Sequence, residues 1–322
     1  MTSNAKGALL ALLAFAVYAT HDVVVKLLGE TYSPFQLIFF SVLFSFPLAL
    51  ILLMRDQTPG TLLPVHPWWV GFRTIAALIT GISAFYAFTT LDLAQVYAIL
   101  FASPLLITVL AIPMLGEKVG VRRGLAVLVG LAGVMVVLRP GSADLELGHV
   151  AALVAAFGAA FASIIVRKIG AEERPVVLLL YPMIGNFILM ACALPFVYVP
   201  VPIEHLGLFA VVALFGTAGG LIIIAAYRAG EAVIVAPMQY SQIIWATVFG
   251  IFVFNEYPDQ GTVIGAAIII ASGLYIVLRE SIPGRSQNTP VLRTKPRPDT
   301  GTAPREARVP RGRLRPPPAA KN

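Results

Sequence analysis

Charged residues are scarce in this chain: they make up 12% of its 322 residues, against 58% that are apolar. Soluble domains carry about twice that share of charge, roughly 25%, so a water-soluble enzyme or binding module of this length is excluded. With a mean hydropathy of +0.85, lipid is the solvent for most of the chain. Cysteine is nearly absent too. Cys192 is the only one, so no intrachain disulfide is possible, and its place inside an apolar run reads as packing. Motifs of hydrolytic and nucleotide chemistry are also missing. No His-Glu-x-x-His, Gly-x-Ser-x-Gly or Gly-x-x-x-x-Gly-Lys occurs, which leaves a membrane enzyme without chemical groups and an ATP-driven pump without a phosphate loop. No metal site, no cofactor and no nucleic-acid partner is expected.

What is abundant is long apolar runs. A bilayer-spanning helix needs about 20 apolar residues, and such runs lie at 8–28, 34–54, 68–90, 94–115, 122–139, 149–168, 175–198, 206–228, 232–254 and 261–279. They are apolar all round rather than alternating, which predicts helices and not a membrane barrel. The first run resembles a signal peptide, with Lys6 before it and Ala14-Phe15-Ala16 as a cleavage-like site. The internal repeat described below argues that it is retained.

Basic residues alternate between sides. With the N-terminus in the cytoplasm, the inner side holds Lys6, Arg55, Lys118, Arg122, Arg123, Arg167, Lys168, Arg174 and Arg228, and the outer side only Lys26 and Arg139. The positive-inside rule then predicts a multi-pass protein of the cell (inner) membrane with both termini cytoplasmic. From Pro283 the composition turns to Pro, Arg, Thr and Gly, with ten Lys or Arg against Asp299 and Glu306. Residues 283–322 therefore read as a disordered basic cytoplasmic tail.

The chain repeats itself. A shift of 141 places Gly7 on Gly148, Ala11-Leu12 on Ala152-Leu153, Val25-Lys26 on Val166-Arg167, Gly29 on Gly170 and Pro34 on Pro175. Further along, a shift of 139 places Gly81 on Gly220, Ala87 on Ala226 and Leu115-Gly116-Glu117 on Phe254-Asn255-Glu256. Residues 1–144 and 145–282 are thus expected to be two five-helix units. Five is odd, so the second unit enters the bilayer from the opposite side. Inverted repeats of this kind are an architecture of secondary carriers. The predicted fold is an all-α integral membrane protein with ten transmembrane helices in two inverted five-helix repeats.

QVYAILFASPLLITVLAIPMLGEK (95–118), followed by GLAVLVGLAGVMVVL, and its counterpart VIVAPMQYSQIIWATVFGIFVFNEYP resemble the ten-helix EamA-type carriers of the drug/metabolite transporter superfamily. The likeness covers residues 6–280. It implies that Glu117 and Glu256 belong to a structural turn. Two departures stand out: Pro104 has Ile243 as its counterpart, with Pro237 six residues earlier, and Asn255 replaces the turn glycine. A bend at a different place in the second helix is the consequence expected.

Ionisable residues at membrane depth are costly, so each is a candidate for function. These are His21, Asp22, Lys26 and Arg73. Asp22 and Lys26 have the spacing of an ion pair; alternatively, Asp22 or His21 takes and releases a proton. Arg73 either snorkels to headgroups or meets an anionic substrate. The substrate-binding candidates are Tyr18, Asp22, Arg73, Tyr97, Phe101, Ser103, Pro104, Gln239, Tyr240, Ser241, Gln242 and Trp245, grouped around the two helices whose midspan residues weaken the backbone ladder. Gly130, Gly133, Gly216, Gly220, Gly261 and Gly265 read as helix-packing positions.

The expected function is secondary transport of a small organic metabolite by alternating access, with export of amino-acid-like compounds first and proton coupling as an accompaniment. The alternatives are uptake of a vitamin-like or nucleoside-like compound, of the riboflavin or S-adenosylmethionine class, and, from another class, a membrane-embedded enzyme. Substrate and lipid are the expected partners, and a homodimer is an open alternative.

Overall fold

A computed structural model of the chain describes residues 3–54, 61–117, 119–139, 145–170 and 172–281. Arg55, Lys118 and the basic tail from Pro283 lie outside the described residues.

In lipid the backbone must satisfy its own hydrogen bonds, which restricts an apolar chain to helices or a closed barrel. Here the apolar runs become helices α1 (Ser3–Gly29), α2 (Pro34–Met54), α3 (Pro67–Thr90), α4 (Leu93–Leu100), α5 (Ser103–Leu115), α6 (Val121–Leu138), α7 (Leu147–Ile169), α8 (Pro175–Val197), α9 (Ile203–Ala229), α10 (Ala232–Val235), α11 (Ser241–Phe249) and α12 (Gln260–Ser281). Proline opens α2, α3 and α8, where its missing N–H would have no helical partner anyway. Large apolar side chains such as Leu13, Phe72, Leu128, Ile188, Ile244 and Phe252 point outward all around the bundle, as a lipid-facing surface does.

Among the described residues, nine helical stretches are long and apolar enough to cross a membrane, 93–115 counted as one of them. The ninth crossing, expected as one helix over 232–254, is segmented. It runs as α10, a 3-10 turn (Ala236–Tyr240), α11 and a π-helical turn (Gly250–Phe254). Pro237 sits at the start of the 3-10 turn, which accounts for the break. The fourth crossing breaks as well, between α4 and α5 at Phe101–Ala102, with Pro104 in the first turn of α5.

The repeats pack on each other rather than within themselves. The most extensive helix interfaces are α1 with α9, α3 with α7, α6 with α12 and α2 with α8, and each joins the first repeat to the second. A shift by one repeat turns α1–α9 into α7–α3, as a pseudo-two-fold axis in the membrane plane requires. The same symmetry reaches single contacts. Gly7 lies against Gly230, and its counterpart Gly148 lies against Leu91, the counterpart of Gly230. Phe101 and Tyr240 are equivalent under the shift of 139, and their rings meet at 5.1 Å and 79°. A residue touching its own counterpart lies on the axis, so the breaks of the fourth and ninth crossings meet at the centre of the fold.

Small residues permit the close approach of α6 and α12. A Cβ on Gly133 would lie 3.0 Å from the Gly265 carbonyl, and one on Gly265 would lie 2.7 Å from the Gly133 carbonyl. Gly261 instead leaves room for the Arg139 guanidinium. Cys192, expected as packing, is exposed on the outer surface of α8.

α5 ends at Gly116, whose φ is 67°, and the Glu117 N–H reaches back to the Ala111 carbonyl at 3.3 Å. The ninth crossing ends the same way, with Asn255 at φ 55° and the Glu256 N–H bonded to the Gly250 carbonyl at 2.8 Å. These are left-handed helix stops, and asparagine is the side chain that best tolerates that conformation after glycine. Asn255 therefore preserves the turn.

Candidate functional site

His21 and Asp22 lie well inside α1, with 0% and 2% of their surface exposed. A carboxylate at that depth is stable only if its oxygens find donors. The His21 ring nitrogen Nδ1 lies 2.7 Å from Asp22 Oδ1, and the Tyr97 hydroxyl donates to Oδ2. Gln242 Nε2 in turn donates to the Tyr97 hydroxyl at 3.3 Å. The polar chain His21–Asp22–Tyr97–Gln242 therefore runs from α1 through α4 to α11, out of the first repeat into the second.

Aromatic rings line up beside it. Phe88 packs on Tyr97 at 5.5 Å, Tyr97 on Phe101 at 6.1 Å, and Phe101 on Tyr240. Two glycines make room for this arrangement: the ring of Tyr18 lies against Gly219 of α9, and the Tyr240 hydroxyl lies where a side chain on Gly273 of α12 would stand. Among the described residues, neither Gln239 Nε2 nor the Tyr240 hydroxyl has a hydrogen-bond partner. The 3-10 turn thus presents two buried polar groups with bonding capacity left over.

The remaining candidates are spread around this centre. Ser103 donates to the Ala156 carbonyl of α7 at 3.1 Å, and Ser241 to the Met238 carbonyl at 2.7 Å. Pro104 serves the start of α5, and its carbonyl accepts from Thr108. Trp245 stacks on Phe249 at 6.3 Å. Arg73 does not snorkel: it is 2% exposed and donates to the Leu178 carbonyl of α8.

Lys26 is likewise placed differently from one of its expected roles. Instead of pairing with Asp22 within α1, it pairs with Glu256, donates to the Leu91 carbonyl at 2.6 Å and lies 5.2 Å over the Phe254 ring. Glu256 Oε2 accepts the Leu93 N–H at 3.1 Å. At the other face, where α1 begins, Arg167 pairs with Glu117. Both acids were legible as turn residues only. The signal for their pairing was the register of the repeats, which sets Lys26 beside Arg167 and Glu117 beside Glu256 in the alignment. Near the Lys26 pair, burial and then the Glu256 carboxylate raise Asp92 above its ordinary carboxylate range, with Lys26 opposing and Asp259 and Glu146 adding to the rise.

The sequence profile of the EamA-like transporter family matches residues 5–139 and 146–278, nearly all of the membrane part. The chain belongs to the EamA-like transporter family. It is a multi-pass membrane transporter of small molecules. Among curated relatives of this EamA-like chain, the S-adenosylmethionine uptake transporter of Rickettsia prowazekii is 27% identical over 84% of the chain and 91% of the relative. The riboflavin transporter of Vibrio cholerae is 31% identical over 60% of the chain and 65% of the relative. The pseudopaline exporter CntI of Pseudomonas aeruginosa is 24% identical over 83% and 94%. Names of both uptake and export thus occur at similar distances.

Proposed function

We propose that this EamA-like chain is a proton-coupled secondary carrier of a small polar organic metabolite, with its substrate and its proton both handled at the Asp22 cluster. The observation that carries the proposal is the buried carboxylate of Asp22, held by His21 and Tyr97 where the two broken helices cross. A carboxylate beside an imidazole offers two neighbouring places for a proton. Broken helices at mid-depth are also where carriers bring backbone and side-chain groups to a substrate. Residues 1–144 and 145–282 are the two repeats between which the cavity lies, and no chemical conversion accompanies transport.

The same reasoning places the N-terminal face in the cytoplasm of an inner-membrane protein. Arg167, Lys168 and Arg174 lie on that face, while the two cations on the other, Lys26 and Arg139, each pair with a carboxylate. The pattern is what the positive-inside rule describes.

Uptake of a nucleoside-like compound is the second reading, supported by the Rickettsia relative. The aromatic rings of Tyr97, Phe101 and Tyr240, tilted or edge-on to one another, suit contact with a planar heterocycle. Metabolites inside and outside cells lacking and overproducing the protein, grown in one defined medium, identify the substrate and its direction together. That substrate is then followed in vesicles under an imposed pH gradient. Gradient-driven flux should be lost in Asp22→Asn; full flux in both Asp22→Asn and His21→Ala would end the proton reading.

A further inference from the structure

The ion pairs at the two membrane faces are one contact used twice. Lys26 and Arg167 are equivalent under the shift of 141, and Glu117 and Glu256 under the shift of 139. Each cation meets the carboxylate of the other repeat, Lys26 with Glu256 at one face and Arg167 with Glu117 at the other. Both acids sit on the left-handed stop of a broken crossing. Glu117 follows α5, beyond the Phe101–Ala102 break, and Glu256 follows the π-helical turn, beyond the 3-10 break. Rotation of α5 about the first break would carry Glu117 away from Arg167 while leaving α4 in place. Rotation of α11 about the second would carry Glu256 away from Lys26. Both pairs are formed here, one toward each end of the bundle that holds the Asp22 cluster.

We propose that Lys26–Glu256 and Arg167–Glu117 are the two gate latches of transport, opened in alternation. When inverted halves exchange conformations, the geometry of one face becomes that of the other, so a latch formed here at both faces is released at one face at a time. The surroundings of the two acids differ. Glu256 uses both oxygens, one on Lys26 and one on the Leu93 N–H, and Lys26 has the Leu91 carbonyl and the Phe254 ring besides. Glu117 Oε2 is buried with no hydrogen-bond partner among the described residues. The inference rests on the chain being a carrier and needs neither the proton role of Asp22 nor a known substrate.

The test uses a reporter cysteine at Ala102, buried at the central break, in full-length protein carrying Cys192→Ala. A membrane-impermeant maleimide is applied to right-side-out and to inside-out vesicles. Arg167→Gln should raise labelling from the N-terminal face by about fivefold or more, and Lys26→Gln should do so from the opposite face, the change expected on losing one modest contact. The charge exchanges Lys26→Glu with Glu256→Lys, and Arg167→Glu with Glu117→Arg, should return labelling to the parental rate. Labelling that stays parental in the single variants overturns the proposal. So does labelling that rises from both faces without restoration by the exchanged pair, which is the result a static brace or an unfolded variant gives. Because the readout is a thiol and not flux, failure here is distinct from failure of the proton or metabolite reading.

Discussion

Replacing Tyr97 by phenylalanine removes one hydroxyl and keeps the ring against Phe88 and Phe101. That hydroxyl donates to Asp22 and accepts from Gln242. A hydrogen bond to a charged acceptor contributes about 1.5–3 kcal/mol, and a long neutral one about 0.5 kcal/mol. The expected loss is thus about 2–3 kcal/mol. At about 2 °C per kcal/mol for a chain of this size, Tm in detergent should fall by about 4–6 °C. Asp22→Asn keeps the shape and removes the charge. If the two side chains are bonded, the loss in the double variant is smaller than the sum of the single losses by about 1.5 kcal/mol, or roughly 3 °C. Fluorescence-detected unfolding of the four purified proteins measures this directly. Additivity to within about 0.5 kcal/mol would refute the bond and, with it, the assignment of Tyr97 to the Asp22 cluster.

At the opposite face, Asp92→Asn should raise Tm at neutral pH. Burial and the Glu256 carboxylate favour the protonated form of Asp92 in the folded protein. The folded state therefore holds this proton to higher pH than the unfolded chain does, and stability is lost as pH rises from the ordinary 3.8 through the raised value. The gain from Asn should vanish below pH 3.8, and a gain that persists there would contradict the cause given. Gly265→Ala should destabilise by about 1–3 kcal/mol, because the new Cβ meets the Gly133 carbonyl and the Val137 nitrogen, backbone atoms that cannot turn aside. Gly124→Ala on α6 meets nothing within 4 Å and should be neutral or gain up to about 1 kcal/mol of helix propensity; equal losses at both sites would show that packing is not the cause. Asn255→Gly should leave Tm unchanged, while Asn255→Val should lower stability by about 1–2 kcal/mol through its left-handed backbone.

The helices were legible because bilayer thickness imposes a length that apolar runs display without further context. The inversion was legible because Gly, Pro and Glu at turns align under a constant shift. Pro104 and Pro237 marked the two breaks, since proline withdraws a donor wherever it stands. What the residues could not disclose was partner choice. Asp22 and Lys26 are four apart on one helix, yet each finds a stronger match elsewhere, Asp22 with Tyr97 and Lys26 with Glu256. Arg73 looked free to reach headgroups, but a carbonyl of α8 lies nearer. Pairings of that kind depend on helix rotation and depth, which periodicity does not encode in a helix that is apolar all round.

Because α1 packs on α9 and α2 on α8, neighbours along the chain are not the partners that hold it. Elongation at about 5–20 residues per second leaves α1 in the bilayer for roughly 10–40 s before α9 has been made. Throughout that interval Lys26 lacks its carboxylate, because Glu256 does not yet exist. The newly inserted first half must be sheltered by the insertion machinery or recognised as unassembled by membrane proteases. Its assembly is in effect the docking of two half-molecules, so the halves translated from two separate messages should find each other in the membrane and restore the complete bundle.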